Sequence, residues 1–237
     1  GAMLMSITMR VKYIKIKDMI YISHLDVQSL FQRAFRRAGI SLSYSQGYNP
    51  HPKMSYGNAL ALGVESYGEY VDIDIENDIS EEELMTSINA QLPEGIKFVK
   101  CLRRDGSERA LASNIEYGDY EFYVDNLRDY SLECLKDKLD YFLNQEEILV
   151  TKKNKKKQLV EVDIRPMIQK LYPIDIIEGR LHIGALLATG SKQNLNTNVF
   201  LPCILAYLDI ELDYLDVDII RNDLYMYIGS SLVKPME

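Results

Sequence analysis

The sequence contains few residues of the types that bind metals or form disulfides. Its three cysteines, Cys101, Cys134 and Cys203, are odd in number and far apart. This usage favours a reducing compartment over a disulfide scaffold. It also argues against zinc or iron–sulfur ligation within the chain, because no histidine or second cysteine lies close to any of them in the sequence. The three histidines are isolated from one another. We therefore expect neither a metal nor a cofactor.

Long apolar runs and the common catalytic motifs are also absent. No apolar run approaches the roughly 20 residues that span a bilayer. The patterns G-x-S-x-G, H-E-x-x-H and G-x-G-x-x-G do not occur. The opening Gly1-Ala2-Met3 is typical of a tag-cleavage remnant, with the native start at Met3 or Met5 and no signal peptide. We expect a cytoplasmic protein that does not associate with membranes.

The 237 residues are enough for two domains. Apolar residues make up 47% and charged residues 26% of the chain, the ordinary proportions of a globular protein with a sizeable core. Lysine and arginine number 27 against 35 aspartates and glutamates, which gives a formal net charge of −8. This balance excludes a protein that is basic over its whole surface, although it leaves room for one basic face.

Charge is unevenly distributed along the chain. Up to Val64 there are eight basic residues and two acidic ones, a sum of +6, so the remaining residues carry −14. Arg33 and Arg37 are four positions apart and fall on one face of a predicted helix. Such segregation is typical of a surface that binds phosphates, and equally of one that docks an acidic protein. A third interpretation is a basic surface that is merely solvated.

The first half of the chain predicts the order strand, helix, strand, strand, helix, strand. Alternating apolar residues predict the strands, and the pairs Ser23–Asp26 and Ser80–Glu83 predict the starts of two helices. The predicted elements are a strand over 9–17, a helix from Ser23 to Gly39, strands over 40–45 and 67–76, a helix over 80–91 and a strand over 96–102. This order is the split βαβ, or ferredoxin-like, pattern.

The second half repeats this order without a detectable sequence repeat. Strands are predicted over 120–124, 147–153, 158–164, 174–177, 180–187 and 217–228, with a single helical turn over 166–171 and helices over 131–143 and 198–208. We therefore predict an α+β protein of two ferredoxin-like domains in tandem. The predicted division is a tag remnant and tail over 1–8, a first domain over 9–103, a linker over 104–116 and a second domain over 117–237.

The most unusual segment is the loop predicted over 46–58. Pro50 and Pro52 flank His51, fix the backbone and remove two amide donors, so this histidine is held on a stiff loop. Tyrosines in and beside the loop offer stacking faces, and other side chains offer hydrogen-bond donors. Rigid loops of mixed aromatic and polar residues commonly form binding sites. The alternative is an ordered connection whose tyrosines cover one end of the sheet.

Two further segments carry residues that suit an anion. Residues 152–157 hold five lysines in six positions and predict an exposed hairpin tip, which either touches a phosphate backbone or is simply solvated. Residues 184–196 end in an amide-rich stretch before a predicted helix, where either an anion or a structural cap fits. This stretch lacks the spacing of a nucleotide-triphosphate loop.

Several motifs resemble one bacterial family. They are the run from Tyr44 to Lys53, Ser55-Tyr56-Gly57, the stretch from Ala61 to Ser66, the segment 15–26 with its Ser23-His24-Leu25-Asp26, and residues 184–198 ahead of Phe200-Leu201-Pro202. Over most of its length the chain resembles the uncharacterised radical SAM-associated proteins that are common in clostridia. The resemblance carries over no catalytic residue.

Members of that family occur next to, or fused to the end of, a radical SAM protein with a cobalamin-binding-like region. Their genes tend to lie near those of ribosomal proteins and of an RNase of the E/G type. The resemblance therefore implies a radical SAM protein as partner. This chain itself lacks the cluster-binding C-x-x-x-C-x-x-C of such enzymes, so we expect it to act as an accessory.

Together these features predict a non-catalytic protein that recognises or presents the substrate of a radical SAM enzyme. The basic first half and the stiff loop predict RNA or a component of the translation apparatus as that substrate. The residues expected to bind it are His24, Arg33, Arg37, Gln46, Tyr48, Asn49, His51, Lys53 and Tyr56.

Two alternatives stay open. One is an RNA-processing or RNA-modifying enzyme with His24 or His51 as acid or base and Lys53 or Arg37 stabilising the phosphorane charge. The other is a protein–protein adaptor that binds no nucleic acid.

Overall fold

The computed structural model describes residues 6–104, 111–125, 131–153, 156–172, 175–177, 179–212 and 216–237. The chain is a mixed α+β protein with few helices and mostly antiparallel strand pairing. It divides into two compact units, residues 1–115 with 223–237, and residues 116–222. In the part of the chain that the structure describes, no helix is long and apolar enough to cross a membrane.

Strands outnumber helices in the chain. In sequence order the strands are β1 (Ile7–Lys15), β2 (Met54–Tyr56), β3 (Glu65–Ile75), β4 (Ile96–Arg104), β5 (Ile115–Val124), β6 (Leu149–Lys153), β7 (Leu159–Asp163), β8 (Ile168–Leu171), β9 (Asp175–Ile177), β10 (Arg180–Ala188), β11 (Asp218–Ile228) and β12 (Ser231–Val233). The α-helices are α1 (His24–Ala38), α2 (Glu81–Asn89), α3 (Leu111–Asn114), α4 (Leu132–Leu143) and α5 (Thr197–Tyr207).

Helix α1 begins and ends where its sequence signals predict. The Ser23 hydroxyl accepts from the Asp26 N–H at 3.2 Å, and the Asp26 carboxylate accepts from the Ser23 N–H at 3.1 Å, which completes a capping box. Gly39 ends the helix in the left-handed conformation, with φ of +71°. The buried face of α1 consists of Val27, Phe31, Ala34 and Phe35. The prediction of this helix is confirmed.

The strands of the first unit follow the order β4–β1–β3, and β2 pairs with β3. Alternate residues of β1, namely Met9, Val11 and Tyr13, are buried against α1 and α2. The ring of Phe31 packs edge-to-face on Tyr13 and on Phe98, with centroids 5.0 and 5.1 Å away. The predicted strands over 67–76 and 96–102 and the predicted helix over 80–91 are confirmed as β3, β4 and α2.

The strand predicted over 40–45 is only partly formed. The Ser43 N–H donates to the Asp74 carbonyl at 2.8 Å, but the Asp74 N–H donates at 3.0 Å to the carbonyl of Lys53, ten residues further along the chain. Residues 41–43 and β2 therefore share the same edge of β3, and residues 44–52 loop out between them. The predicted loop over 46–58 thus contains a strand. Pro50 and Pro52 keep the intervening residues out of the ladder, because a proline has no N–H to donate.

The strands of the second unit follow the order β11–β5–β10–β8, with β9 paired to β10. Helices α4 and α5 pack on one face, around Phe122, Phe142 and Phe200, which confirms the two helices predicted there. Strands β6 and β7 form a separate two-stranded sheet. The helical turn predicted over 166–171 is a 3-10 turn over Arg165–Met167 followed by strand β8. Within the predicted linker, residues 105–110 lie outside the described residues.

Candidate functional site

Residues 43–53, which we call the finger, extend from the edge of β3. Two backbone hydrogen bonds join the sides of the finger: the Lys53 N–H donates to the Ser43 carbonyl at 2.8 Å, and the Ser45 N–H donates to the His51 carbonyl at 2.9 Å. The Ser45 hydroxyl lies 2.9 Å from His51 Nδ1 and accepts from the His51 N–H at 3.1 Å. The base of the finger is therefore fixed by hydrogen bonds as well as by proline.

The tip of the finger is exposed. Gln46, Tyr48 and Asn49 all lie at the surface, and the Tyr48 side chain is fully exposed at 107%. Gly47, with φ of +137°, permits the turn that a residue with a side chain rarely adopts. An exposed ring on a braced backbone offers its faces to a planar ligand at little cost in conformational entropy.

A cavity of about 550 Å³ lies between the last turns of α1 and the base of the finger. The side chains that line it with polar groups are Gln32, Arg36, Ser41 and Glu76, and Tyr44 supplies an aromatic wall. Gln32, Arg36 and Tyr44 are absent from the binding residues predicted from the sequence. The spacing of Gln32 and Arg36, four residues apart on a helix, was the available signal.

The exposed arginines of the first unit follow α1. Arg33, Arg36 and Arg37 are exposed, and Arg37 also donates to the Gln91 carbonyl at 2.7 Å. They stand in the last turns of the helix, where the helix dipole favours positive charge. Arg36 is the one that lines the cavity. These arginines therefore have both a structural reason for their position and the exposure to bind an anion.

The other basic residues of the first 64 are largely engaged within the unit. Arg10, which is 2% exposed, donates to both oxygens of Asp72 at 2.7 and 2.8 Å. Lys12 donates to Asp223 at 2.7 Å, and the buried Lys15 donates to the Ile22 carbonyl at 2.8 Å. Lys17 forms an ion pair with Glu94. Most of the positive charge on and beside β1 is therefore paired with carboxylates or carbonyls of the same unit, whereas the arginines of α1 are exposed.

Lys53 and His51 line a second, smaller cavity of about 240 Å³ together with Asp72 and Asp74. The Lys53 ammonium is 4.0 Å from the nearer Asp74 oxygen. Positive and negative groups alternate here, so this cavity does not present a continuous anion-binding surface.

His24 occupies the first position of α1 and is half-buried. Its Nε2 lies 2.9 Å from Gln28 Nε2, and its ring meets the Tyr56 ring edge-to-face at 5.0 Å. Burial lowers the pKa of His24 below its usual value; the charge of Glu69 opposes this shift and that of Lys15 adds to it. His24 is therefore held in its neutral form near pH 7.

Tyr56 belongs to the core of the first unit. It is 8% exposed, its ring lies 6.2 Å from that of Phe31, and burial raises its pKa far above the usual value for tyrosine. Among the described residues, His24 has no hydrogen bond, ion pair or ring contact with any residue of the finger. The structure thus places Gln46, Tyr48, Asn49, His51 and Lys53 on the finger, Arg33 and Arg37 on α1, and His24 with Tyr56.

The other segments singled out in the sequence belong to the second unit. Lys152 and Lys153 end β6, and Lys156 and Lys157 precede β7; residues 154 and 155 lie outside the described residues. Asn196 is the N-cap of α5, but its side chain makes no capping hydrogen bond. Within the described ranges, no group of three or more histidine, cysteine, aspartate or glutamate residues is placed to hold a metal ion.

A protein-family model described as "uncharacterized protein conserved in bacteria (DUF2344)" matches residues 8–197. The matched range contains α1, the finger and both cavities. A search of curated proteins found no match to the chain.

Proposed function

The chain belongs to this family of conserved bacterial proteins, and from that premise we propose that it is a non-catalytic partner of a radical SAM enzyme that recognises single-stranded RNA. The radical SAM part of the proposal is supported by the resemblance of the Ser23–Asp26 and Tyr44–Lys53 motifs. The RNA part is supported by the finger and α1. The partner enzyme supplies the radical chemistry, and this chain holds the substrate.

The observation that carries the proposal is the fully exposed Tyr48 ring on a hydrogen-bonded finger. Single-stranded RNA is bound largely by stacking its unpaired bases on such rings, an interaction worth about 1–3 kcal/mol per base. Gln46 and Asn49 beside the ring can donate to and accept from a base edge. A preformed finger loses little freedom when it binds, which favours affinity.

The exposed arginines provide the phosphate contacts that the stacked base requires. Arg33 and Arg36 are exposed on α1, and Arg36 lines the cavity. A guanidinium can bind a phosphate through two parallel hydrogen bonds. Lys12, Lys15 and Arg10 are engaged elsewhere, so we propose about two or three phosphate contacts. For a single strand, that number gives a slope of about −1.4 to −2.1 in log K against log salt.

We also propose that each unit is a ferredoxin-like domain. In the first unit β2 joins the order β4–β1–β3 on the edge of β3, and the pairings β1–β3, β1–β4 and β2–β3 are antiparallel. The second unit shows the corresponding order β11–β5–β10–β8, with the β6–β7 hairpin as an insertion. These orders support the assignment, since a split βαβ unit places its first and third strands at the centre.

The test of the RNA proposal is the affinity of the full chain for short single-stranded RNA, measured by fluorescence anisotropy at about 50 and 200 mM salt. A slope of this size predicts roughly a 7- to 18-fold loss of affinity between these concentrations. Tyr48→Ala and Arg36→Ala should each weaken binding, whereas Tyr21→Ala, which removes another exposed tyrosine of the same unit, should not. Binding that ignores salt and both the Tyr48→Ala and the Arg36→Ala substitutions would refute the proposal.

A protein-docking role is favoured by a different observation. Tyr21, Leu25 and Leu62 are 71%, 70% and 63% exposed. The Gly63 N–H donates to the Ile20 carbonyl at 3.0 Å, which brings Leu62 next to a 3-10 helix over Lys17–Tyr21. Exposed apolar residues grouped in this way mark protein contacts. Co-purification with the radical SAM protein, with and without nuclease, separates the roles: an adaptor keeps its partner after nuclease treatment, and Leu25→Asp should release it.

The enzymatic alternative needs a single histidine to act without the other, since His24 makes no contact with the finger residue His51 in the part of the chain that the structure describes. It makes a distinct prediction for His51→Ala: an enzyme should lose turnover and keep its affinity for RNA. A recognition protein has no turnover to lose.

A further inference from the structure

In the second unit, strands β5 and β10 have one face that lies opposite the described helices α4 and α5. Tyr120, Phe122 and Val124 of β5 are buried in the core with α4 and α5. Because side chains alternate along a strand, Glu121 and Tyr123 point to the opposite face. The same alternation places His182 of β10 on that face, directly across from Tyr123 in the register of the two strands. These strands are the two central ones of the unit.

Aromatic rings and cations form a row across this face. The Tyr123 and His182 rings are stacked, with centroids 4.8 Å apart and planes inclined by 12°. The Arg180 guanidinium lies near the Tyr123 ring, 5.3 Å from its centroid. Beyond His182 along β10 stands Gly184, and the Tyr172 ring occupies the space that a side chain there would fill, only 2.8 Å from where a Cβ would lie.

The centre of the row holds the Glu121 carboxylate, which can accept a further hydrogen bond. Glu121 accepts from the Tyr123 hydroxyl at 2.6 Å and from Asn222 at 3.0 Å. A carboxylate offers about four lone-pair positions, so at least one donor more can be accommodated. Burial raises the pKa of Glu121, but hydrogen bonds from Tyr123 and Asn222 outweigh burial and hold the pKa below its usual value. The group is therefore ionised near pH 7.

A second polar atom in the row lacks a partner. His182 Nε2 is buried and makes no hydrogen bond among the described residues, although it lies 3.5 Å from the nearer Glu121 oxygen. The His182 and Glu121 side chains as wholes remain 28% and 30% exposed. A stacked ring, an acceptor with spare capacity and an unpartnered ring nitrogen thus stand together at a surface that solvent reaches.

The charges around the row select the kind of ligand. Arg180 is held between Asp125 at 2.5 Å and Asp218 at 2.6 Å, so its charge is already balanced. With Glu121 also ionised, the polar centre of the row favours a flat group that donates a hydrogen bond over a phosphate. A nucleobase with an exocyclic amine has this chemistry, and carboxylates accept from the cytosine amine in known modes of base recognition.

We propose that this face binds one unpaired, amine-bearing base of an RNA strand, stacked on the Tyr123–His182 pair with its amine donating to Glu121. The inference rests on the proposed RNA-binding function and adds a second, base-selective contact to it. The 43–53 finger then stacks bases without selecting them, whereas this face discriminates between them. Cytosine is accepted, and uracil, which places a carbonyl oxygen against the carboxylate, is rejected.

The experiment uses the full chain and two free nucleotides, CMP and UMP, followed by the NMR signals of the His182 ring. CMP should shift these signals and bind roughly fivefold or more tightly than UMP. Tyr123→Ala should weaken CMP binding by roughly 5- to 150-fold, as loss of a stacking partner predicts. Glu121→Gln should remove the preference for CMP. Tyr141→Ala, which removes a 69% exposed tyrosine on α4 of the same unit, should change nothing.

Two controls keep the outcomes apart. Tyr123→Phe retains the ring and loses only the hydroxyl bond to Glu121, so it should keep most CMP binding even if Tyr123→Ala folds poorly. Tyr48→Ala should weaken binding of an RNA strand and leave CMP unaffected. If CMP shifts His182 while RNA binding ignores Tyr48, the finger proposal fails and this inference stands. Equal affinity for CMP and UMP, or unshifted His182 signals, overturns the inference, as does protection of the face by a protein partner without any CMP binding.

Discussion

Replacing Asp72 with alanine should destabilise the first unit strongly and leave the proposed RNA binding unchanged. Asp72 receives two hydrogen bonds from Arg10 at 2.7 and 2.8 Å, and a third Arg10 nitrogen donates to the Pro235 carbonyl at 3.1 Å. The exposed fractions of the two side chains are 3% for Arg10 and 14% for Asp72. The substitution therefore removes the carboxylate from a guanidinium that water does not reach.

The size of the effect follows from this burial. Removing one partner of a buried ion pair costs about 3–5 kcal/mol, because the remaining charge stays desolvated. With a urea dependence of about 2 kcal/mol per molar, the unfolding midpoint should fall by about 1.5–2.5 M. Asp72→Asn keeps one oxygen acceptor and should cost less, about 1.5–3 kcal/mol. RNA affinity should not change, since Arg10 is not among the exposed cations.

The assay is urea unfolding combined with native-state hydrogen exchange of the β1 and β3 amides, which reports on the first unit alone. The matched control is Asp78→Ala, because Asp78 also pairs with an arginine, at 2.9 Å, but is 83% exposed. A pair of that exposure contributes about 0–1 kcal/mol. If Asp72→Ala shifts the urea midpoint no more than Asp78→Ala does, the Arg10–Asp72 pair is not a buried, stabilising contact. The Arg10 guanidinium would then count among the cations that can bind a ligand.

Three further predictions concern local contacts. The pKa of His24 is lowered in the folded state, so its contribution to stability is present above the unfolded value of 6.5 and is lost as the pH falls through the lower folded value. His24→Gln should therefore reduce the pH dependence of the free energy of unfolding between about pH 7 and pH 5. An unchanged pH dependence would contradict the lowered pKa of His24. Ser23→Ala should cost about 1 kcal/mol in chemical denaturation by removing the cap of α1, whereas Ser23→Asp should restore most of it. Gly184→Ala should lower the thermal midpoint, at a cost of about 1–3 kcal/mol, because its Cβ would lie 2.8 Å from the Tyr172 ring; an unchanged midpoint would mean that the ring moves freely.

The local signals in the sequence predicted local structure well. The Ser23–Asp26 pair and Gly39 bound α1 because capping depends on residues within a few positions of each other. The alternation over 67–76 predicted β3 for the same reason. Proline on both sides of His51 predicted a stiff loop, and the finger has the hydrogen bonds that such a loop needs.

What the sequence could not show was pairing over long distances. Summing charge over the first 64 residues suggested a basic face, but Lys12 pairs with Asp223, which lies 211 residues away in the chain. The split of one edge strand between residues 41–43 and β2 was equally hidden, because each part is too short to alternate recognisably. Tyr56, predicted as a binding residue, is buried against Phe31, and only the packing of α1 on the sheet decides that.

The way the finger leaves and rejoins the edge of β3 determines how far its sequence and length can vary. Its two ends meet at a single backbone hydrogen bond of 2.8 Å between Ser43 and Lys53, so the sheet beneath it is continuous whether the finger is long or short. Loop closure of this kind tolerates insertion and deletion at small thermodynamic cost. The tip over 46–50 can therefore vary in length and sequence without changing the strand that carries it.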